Sequence, residues 1–254
     1  MMQFFDCNVY FGRPSVRPLA PVPSAADLLK EMAHGGVERA LVWHIAQQDN
    51  APQVGNRLLA EAIRPHPTLM GCWTILPNQA GEFAPFDNFL DQMRQSRIAA
   101  LRAFPVSHHY LLNKVAMGSW LSPMAARRIP LLLSVNRGAN WDIVYALLSE
   151  FPDLTCLICD HGCWGEDRYF RPLLEQYPNV YVDTSQYFLD GGIEALVDSY
   201  GPSRLIFGSG FPDSYFGGML MAIKHARISE EAKEAIAGKN LERVLSQANL
   251  EALP

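Results

Sequence analysis

Several polar residues stand where apolar runs end, and their types can move protons or hold a small polar ligand. His161 follows Asp160, and Asp183 and Asp213 close or follow later runs. An imidazole titrates near neutrality and a carboxylate can orient it, which suits general acid–base work. The same set can equally form a hydrogen-bonded rim that holds loops. The catalytic candidates are His161, Asp160 and Asp183. The substrate-binding candidates are Asp6, Asn8, His44, Arg102, Asn136, Ser209 and Asp213. Asp6 and Asn8 alternate along one run and should share a side. His44 should face a ligand while Trp43 turns outward. A buried guanidinium needs an anion, so Arg102 either anchors a substrate carboxylate or pairs with Asp6 or Asp183.

Other chemistries fit less well. Gly208-Ser209-Gly210 lacks the spacing of a nucleophile elbow. His34, His66 and His225 lie in or beside helical patterns, and the adjacent His108 and His109 cannot easily close on one metal ion. The five cysteines are an odd number, four of them in strand-like runs, which suits a reducing compartment. Cys156, Cys159 and Cys163 lack the tight turn of a structural zinc site.

The elements that must position these residues are eight nearly continuous apolar runs: 2–7, 39–45, 69–75, 98–104, 129–135, 155–159, 180–183 and 204–208. Such runs suit parallel strands covered on both faces. Helical patterns lie between them, with Ser24 and Asn140 as caps and Gly35-Gly36 as a stop. Eight strand–helix units in 254 residues predict a (β/α)8 TIM barrel spanning 1–254 as one domain. An open dinucleotide-binding sheet would need a glycine loop that Gly12-Arg13-Pro14 does not supply. In a barrel the polar strand ends converge on one mouth. The long connections 8–23, 76–85 and 105–118 carry Tyr10, Phe11, Arg13, Arg17, His108, His109 and Tyr110, suiting a pocket for a small polar or aromatic molecule.

A net charge of -5 and the absence of a Lys/Arg block argue against nucleic acid as partner. No apolar run approaches about 18 residues, so no membrane span is expected. A cytoplasmic protein with a small-molecule ligand is expected, and a homodimer is allowed.

The runs Phe5-Asp6-Cys7-Asn8-Val9-Tyr10-Phe11-Gly12, Asp160-His161-Gly162, Tyr177 to Ser185 and Arg204 to Ser209 with Phe211-Pro212 carry a family likeness. The chain resembles the amidohydrolase superfamily, in the branch of aminocarboxymuconate semialdehyde decarboxylase and the dicarboxylate lactonases. The resemblance implies a metal centre built from a His-x-His pair on strand one, histidines ending strands five and six, and an Asp after strand eight. Here those positions fall on Asn8, Tyr10, Ser134, His161 and Gly210, so only His161 keeps its type. An oxygen-rich site from Asp6, Asn8, Asp160, His161 and Asp183 would be a new design. The resemblance implies a metal-dependent hydrolase family. For this chain it implies a hydrolase acting on a small carboxylated or carbohydrate-derived compound, with no catalytic zinc and no cofactor. Two alternatives stand beside it: a metal-free binding protein that has lost catalysis, and a lyase or decarboxylase.

Overall fold

A computed structural model describes residues 2–18 and 20–251. Eight strands, β1 (Phe5–Phe11), β2 (Arg39–His44), β3 (Leu69–Thr74), β4 (Ile98–Arg102), β5 (Leu131–Ser134), β6 (Cys156–Cys159), β7 (Val180–Asp183) and β8 (Leu205–Ile206), pair in sequence order, all parallel. Cys7 N–H donates to Phe207 O at 3.0 Å and Tyr10 N–H to Phe211 O at 3.1 Å, which brings the segment after β8 back onto β1. The expected (β/α)8 barrel is thus the observed one.

Helices follow the strands as local signals direct. The helix α1 (Ala25–Gly35) starts where Ser24 accepts from Asp27 N–H and ends at Gly36, whose φ of 76° is the left-handed stop. Next come α2 (Ala46–Asp49), α3 (Pro52–Ile63), α4 (Phe86–Gln95) and α5 (Lys114–Ala126). The helix α6 (Trp141–Glu150) is capped by Asn140, and α7 (Asp167–Gln176) and α8 (Gly192–Tyr200) follow. After β8 come α9 (Phe216–His225), α10 (Glu230–Glu234), a π-helical turn (Ala235–Lys239) and α11 (Asn240–Ser246).

Two expectations about orientation are corrected. The first strand was expected at 2–7 but runs Phe5–Phe11, and every residue in it is buried. Its register slips between Asp6 and Val9, a bulge that places an extra residue on β1 and breaks the simple alternation of Asp6 and Asn8. Trp43 turns inward, not outward: it is 1% exposed and packs against Tyr10 and Phe104 inside the barrel. His44, its neighbour, therefore faces the helix layer, edge-on to Phe11. The inward residues of β2 are Leu41 and Trp43, with Ile45 just beyond the strand, so packing of the widest ring decided the facing.

Candidate functional site at the barrel mouth

Asn8 is the hub of a buried polar net. Its Oδ1 accepts from Arg102 Nη2 at 2.8 Å. Its Nδ2 contacts Asp160 Oδ1 at 2.8 Å, Asp183 Oδ2 at 3.2 Å and Ser185 Oγ at 3.3 Å. Arg102 also donates through Nη1 to Ser134 Oγ at 3.0 Å, and its guanidinium lies 5.0 Å from the Trp43 ring. It pairs with neither Asp6 nor Asp183, so the expected ion pair is replaced by two neutral acceptors. Arg102 is fully buried, and an approaching ligand meets Asn8 rather than the guanidinium. Because Asn8 accepts from a cation on one side, its amide is a polarised donor on the other.

The carboxylates are held in an order that burial explains. Burial, then the neighbouring Asp160 charge, drives the Asp183 carboxyl well above the usual range. Burial also raises Asp6 to about 6, although N–H groups of Asn8 (2.9 Å) and Ser209 (3.1 Å) donate to its Oδ1. Its other oxygen is buried without a hydrogen-bond partner. Ser185 Oγ lies 2.6 Å from Asp183 Oδ2 and 3.1 Å from Asp160 Oδ1. One hydroxyl proton cannot serve both. A protonated Asp183 donating to Ser185, and Ser185 donating to Asp160, satisfies the whole chain. Asp160 itself has φ 55°, a left-handed conformation costly outside glycine, and Asn136 Nδ2 holds its backbone carbonyl at 2.6 Å.

Other sequence candidates are placed elsewhere. His161 sits between Phe170 and Tyr187, with Nδ1 2.9 Å from Gly162 O and Nε2 2.8 Å from Asp183 O. Burial lowers its pKa against the two carbonyl contacts, which raise it, and both ring nitrogens are engaged by backbone. His44 accepts Ala46 N–H on Nδ1 at 3.1 Å, an internal role in the turn after β2, and burial lowers its pKa too. Ser209 is fully buried; its N–H donates to Asp6 and its Oγ accepts from Phe211 N–H.

Above the net lies a space of about 10 Å3, walled by Asn8, Tyr10, Trp43, Asp160 and Gly210 and roofed by Arg137 and Asp213. That is room for about one water. Arg137 is bonded to Asp213, which also accepts from the Tyr10 hydroxyl at 2.7 Å. Over the roof opens a basin of about 390 Å3 that includes Tyr10, Arg17, Gln48, Asn136, Arg137 and Asp213, a volume in the range of small-ligand pockets. Arg137, Ser185, Gln48 and the inward Trp43 were not among the sequence candidates. The step Asn136-Arg137-Gly138 directly after β5 was the signal that could have found Arg137.

The residues present do not fit the metal centre that the family resemblance implies. Asn8 and Ser134, at two of the ligand positions, are hydrogen-bonded to Arg102, whose positive charge stands among the carboxylates where a cation would be held. Tyr10 donates to Asp213, both His161 nitrogens face carbonyl oxygens, and Gly210 offers no side chain. No step is derived through a metal at these positions. Among the described residues, the potential ligand atoms of Cys7, Cys159 and Asp183 come within 4.8 Å of one another in the barrel interior. Burial raises both thiols, Cys159 to about 11, so they pack as neutral side chains.

Residues 137–246 match the family model described as Amidohydrolase. The match covers β6, β7, β8 and the helices around them, the part that carries Asp160, Asp183, Ser185 and Asp213. That stretch of the chain is similar to the Amidohydrolase family. No curated protein matches the sequence. Among solved structures, an uncharacterised TIM-barrel protein from Bordetella bronchiseptica is similar with a TM-score of 0.69 at 20% identity, over 96% of this chain and 99% of that one. The 5-carboxyvanillate decarboxylase of Sphingomonas paucimobilis is similar with a TM-score of 0.74 at 14% identity, over 97% and 99%. A 2,6-dihydroxybenzoate decarboxylase from Rhizobium gives 0.73 at 15%, over 97% and 99%. At these identities the likeness is one of fold.

Two expectations fall here. The hydrolase class, and with it the metal-dependent hydrolase family, is corrected: the similar barrels with a stated activity reported above are decarboxylases. The loss of ligand types at Asn8, Tyr10, Ser134 and Gly210 removes the hydroxide-generating centre such hydrolysis needs. Among the described residues, no helix is long and apolar enough to cross a membrane.

Proposed function

We propose that this protein is a metal-independent lyase that decarboxylates a small unsaturated carboxylate. The observation that carries the reading is the chain Asp183–Ser185–Asp160, which runs from a fully buried carboxyl to one that borders the inner cavity. Decarboxylation breaks a carbon–carbon bond, leaves the electron pair on carbon and needs one proton there. The Asp183 carboxyl, whose proton burial holds to well above the usual carboxylate range, is the source of that proton. Ser185 passes its proton to Asp160 as Asp183 refills Ser185; Asp160, now protonated, delivers that proton to the carbon, and Asp183 is left as the carboxylate. Carbon dioxide leaves, and solvent restores the proton on Asp183 when the site opens.

The remaining residues orient and shield. Asn8, polarised by Arg102, donates to Asp160 and fixes its position in the cavity wall. The Tyr10 and Trp43 rings, inclined at 43° to each other, give the cavity an aromatic side, which favours an unsaturated compound over a saturated sugar acid. The shared fold with 5-carboxyvanillate and 2,6-dihydroxybenzoate decarboxylases supports the class of reaction.

The test is release of carbon dioxide from a panel of aromatic and unsaturated acids that includes those two compounds, run in D2O so that product carries one deuterium. Ser185→Ala should lower the rate at least roughly 100-fold, as loss of acid–base help does, with KM little changed. Asp160→Asn should remove turnover. Full activity in both variants would sink the assignment. One observation favours a second reading, a metal-free binding protein: the inner cavity holds about 10 Å3 and is roofed by an ion pair. Saturable binding of panel acids in the basin with no carbon dioxide released would favour it.

A further inference from the structure

Arg137 separates the two spaces at the barrel mouth, bounding both the basin of about 390 Å3 and the cavity of about 10 Å3 beneath it. Its guanidinium lies 4.9 Å from the Tyr10 ring centroid and 5.5 Å from that of Trp43. It donates to the Asp213 carboxylate and, at 3.1 Å, to Gln48 Oε1. The backbone that carries it is pinned. Arg137 N–H bonds Ser134 O at 3.0 Å, and Gly138, with φ 82°, lies so close to Phe104 that a Cβ would meet it at 2.9 Å. Motion at Arg137 is therefore side-chain motion.

A cavity with room for about one water cannot admit a carboxylic acid, so any ligand that reaches Asp160 must first displace this side chain. The ion pair that holds it is half-open to solvent, with side chains 24% and 36% exposed, which makes it weak and exchangeable. Its guanidinium already makes, with Asp213, the contact it would make with a carboxylate from the basin. When it lifts off Tyr10 and Trp43, it uncovers an aromatic slot between those rings and the cavity.

We propose that Arg137 is an exchange latch and anion subsite: a small planar carboxylate takes the place of Asp213 on Arg137, and the side chain swings off Tyr10 and Trp43 to open the inner cavity. This rests on the reading of that cavity as the reaction site. The latch sets specificity in two ways. It requires an anion to open, and it offers an aromatic slot once open.

Benzoate, acetate and the neutral isostere benzamide are the probes, followed by calorimetry on the full chain. Benzoate should bind more tightly than acetate, and benzamide should not bind measurably. Asp213→Asn removes the internal competitor but keeps an acceptor for Tyr10, and should bind benzoate roughly fivefold more tightly. Arg137→Met should lose benzoate binding, while acrylamide quenching of Trp43, read as the difference from Trp43→Phe, should rise. Thermal unfolding midpoints near wild type will show that both variants are folded, as expected for partly exposed side chains. Unchanged benzoate affinity in Asp213→Asn overturns the proposal, as does retained binding in Arg137→Met. Binding and quenching do not read turnover: the latch can stand while decarboxylation fails, and decarboxylation can stand while the latch fails.

Discussion

Asp6→Asn is the sharpest test of the buried electrostatics. Asp6 is fully buried, its Oδ1 accepts two backbone N–H groups, and its Oδ2 has no partner. Burial raises its pKa from 3.8 to about 6. A carboxyl whose folded pKa is raised binds its proton more tightly when folded. Its contribution to stability is complete below the unfolded value and is lost as pH rises through about 6. The full span is on the order of 3 kcal/mol, and the part between pH 5 and pH 7.5 is about 1.4 kcal/mol. Asparagine keeps the acceptor for both N–H groups and never ionises. Urea unfolding of wild type and Asp6→Asn at the two pH values reads the effect, because carboxyls not coupled to Asp6 cancel in the difference. Wild type should gain about 1.4 kcal/mol on the variant as pH falls from 7.5 to 5, and the variant should be the more stable at pH 7.5. A difference that stays constant across that window, or that moves the other way, would refute the claim that burial raises the Asp6 carboxyl to about 6.

Arg102→Met should cost roughly 3–5 kcal/mol, because it removes two charge-assisted hydrogen bonds and leaves the Asn8 and Ser134 oxygens buried without their donor. For a chain of this length that is a fall of roughly 6–20 °C in thermal midpoint, and Arg102→Lys should not restore it, since one ammonium cannot span both acceptors. A methionine variant that melts with wild type would remove the guanidinium from the list of structural requirements. Gly208→Ala should destabilise by about 1–3 kcal/mol in urea, since its Cβ would lie 2.6 Å from Asp183 Oδ2 and 3.0 Å from Cys7 Sγ.

Much of the architecture is local in origin and so was legible before any tertiary contact. Ser24, Asn140 and Gly36 start or stop helices through bonds to their own neighbours, and seven of the eight expected strands lie close to their positions. Several of the candidates lie together in the fold: Asn8, Asp160, Asp183, Arg102 and Asp6 meet, with Asn136 and Asp213 nearer the rim. Their roles were less legible. The bulge between Asp6 and Val9 depends on pairing with β2, which periodicity along one chain does not contain. Trp43 and His44 exchanged sides because the barrel interior accepted the larger ring.

The linear order of residues determined by itself that eight apolar strands would alternate with capped helices and bring polar strand ends to one mouth, because each of those signals acts over a few neighbours. Only the tertiary structure decided that Arg102 would lie between Asn8 and Ser134, that His161 would spend its ring on backbone carbonyls, and that Arg137 would roof the cavity with Asp213. Those pairings join residues up to 94 positions apart, as in Arg102 with Asn8, and hydrogen-bond partners at that range are chosen by barrel closure and by the exclusion of water.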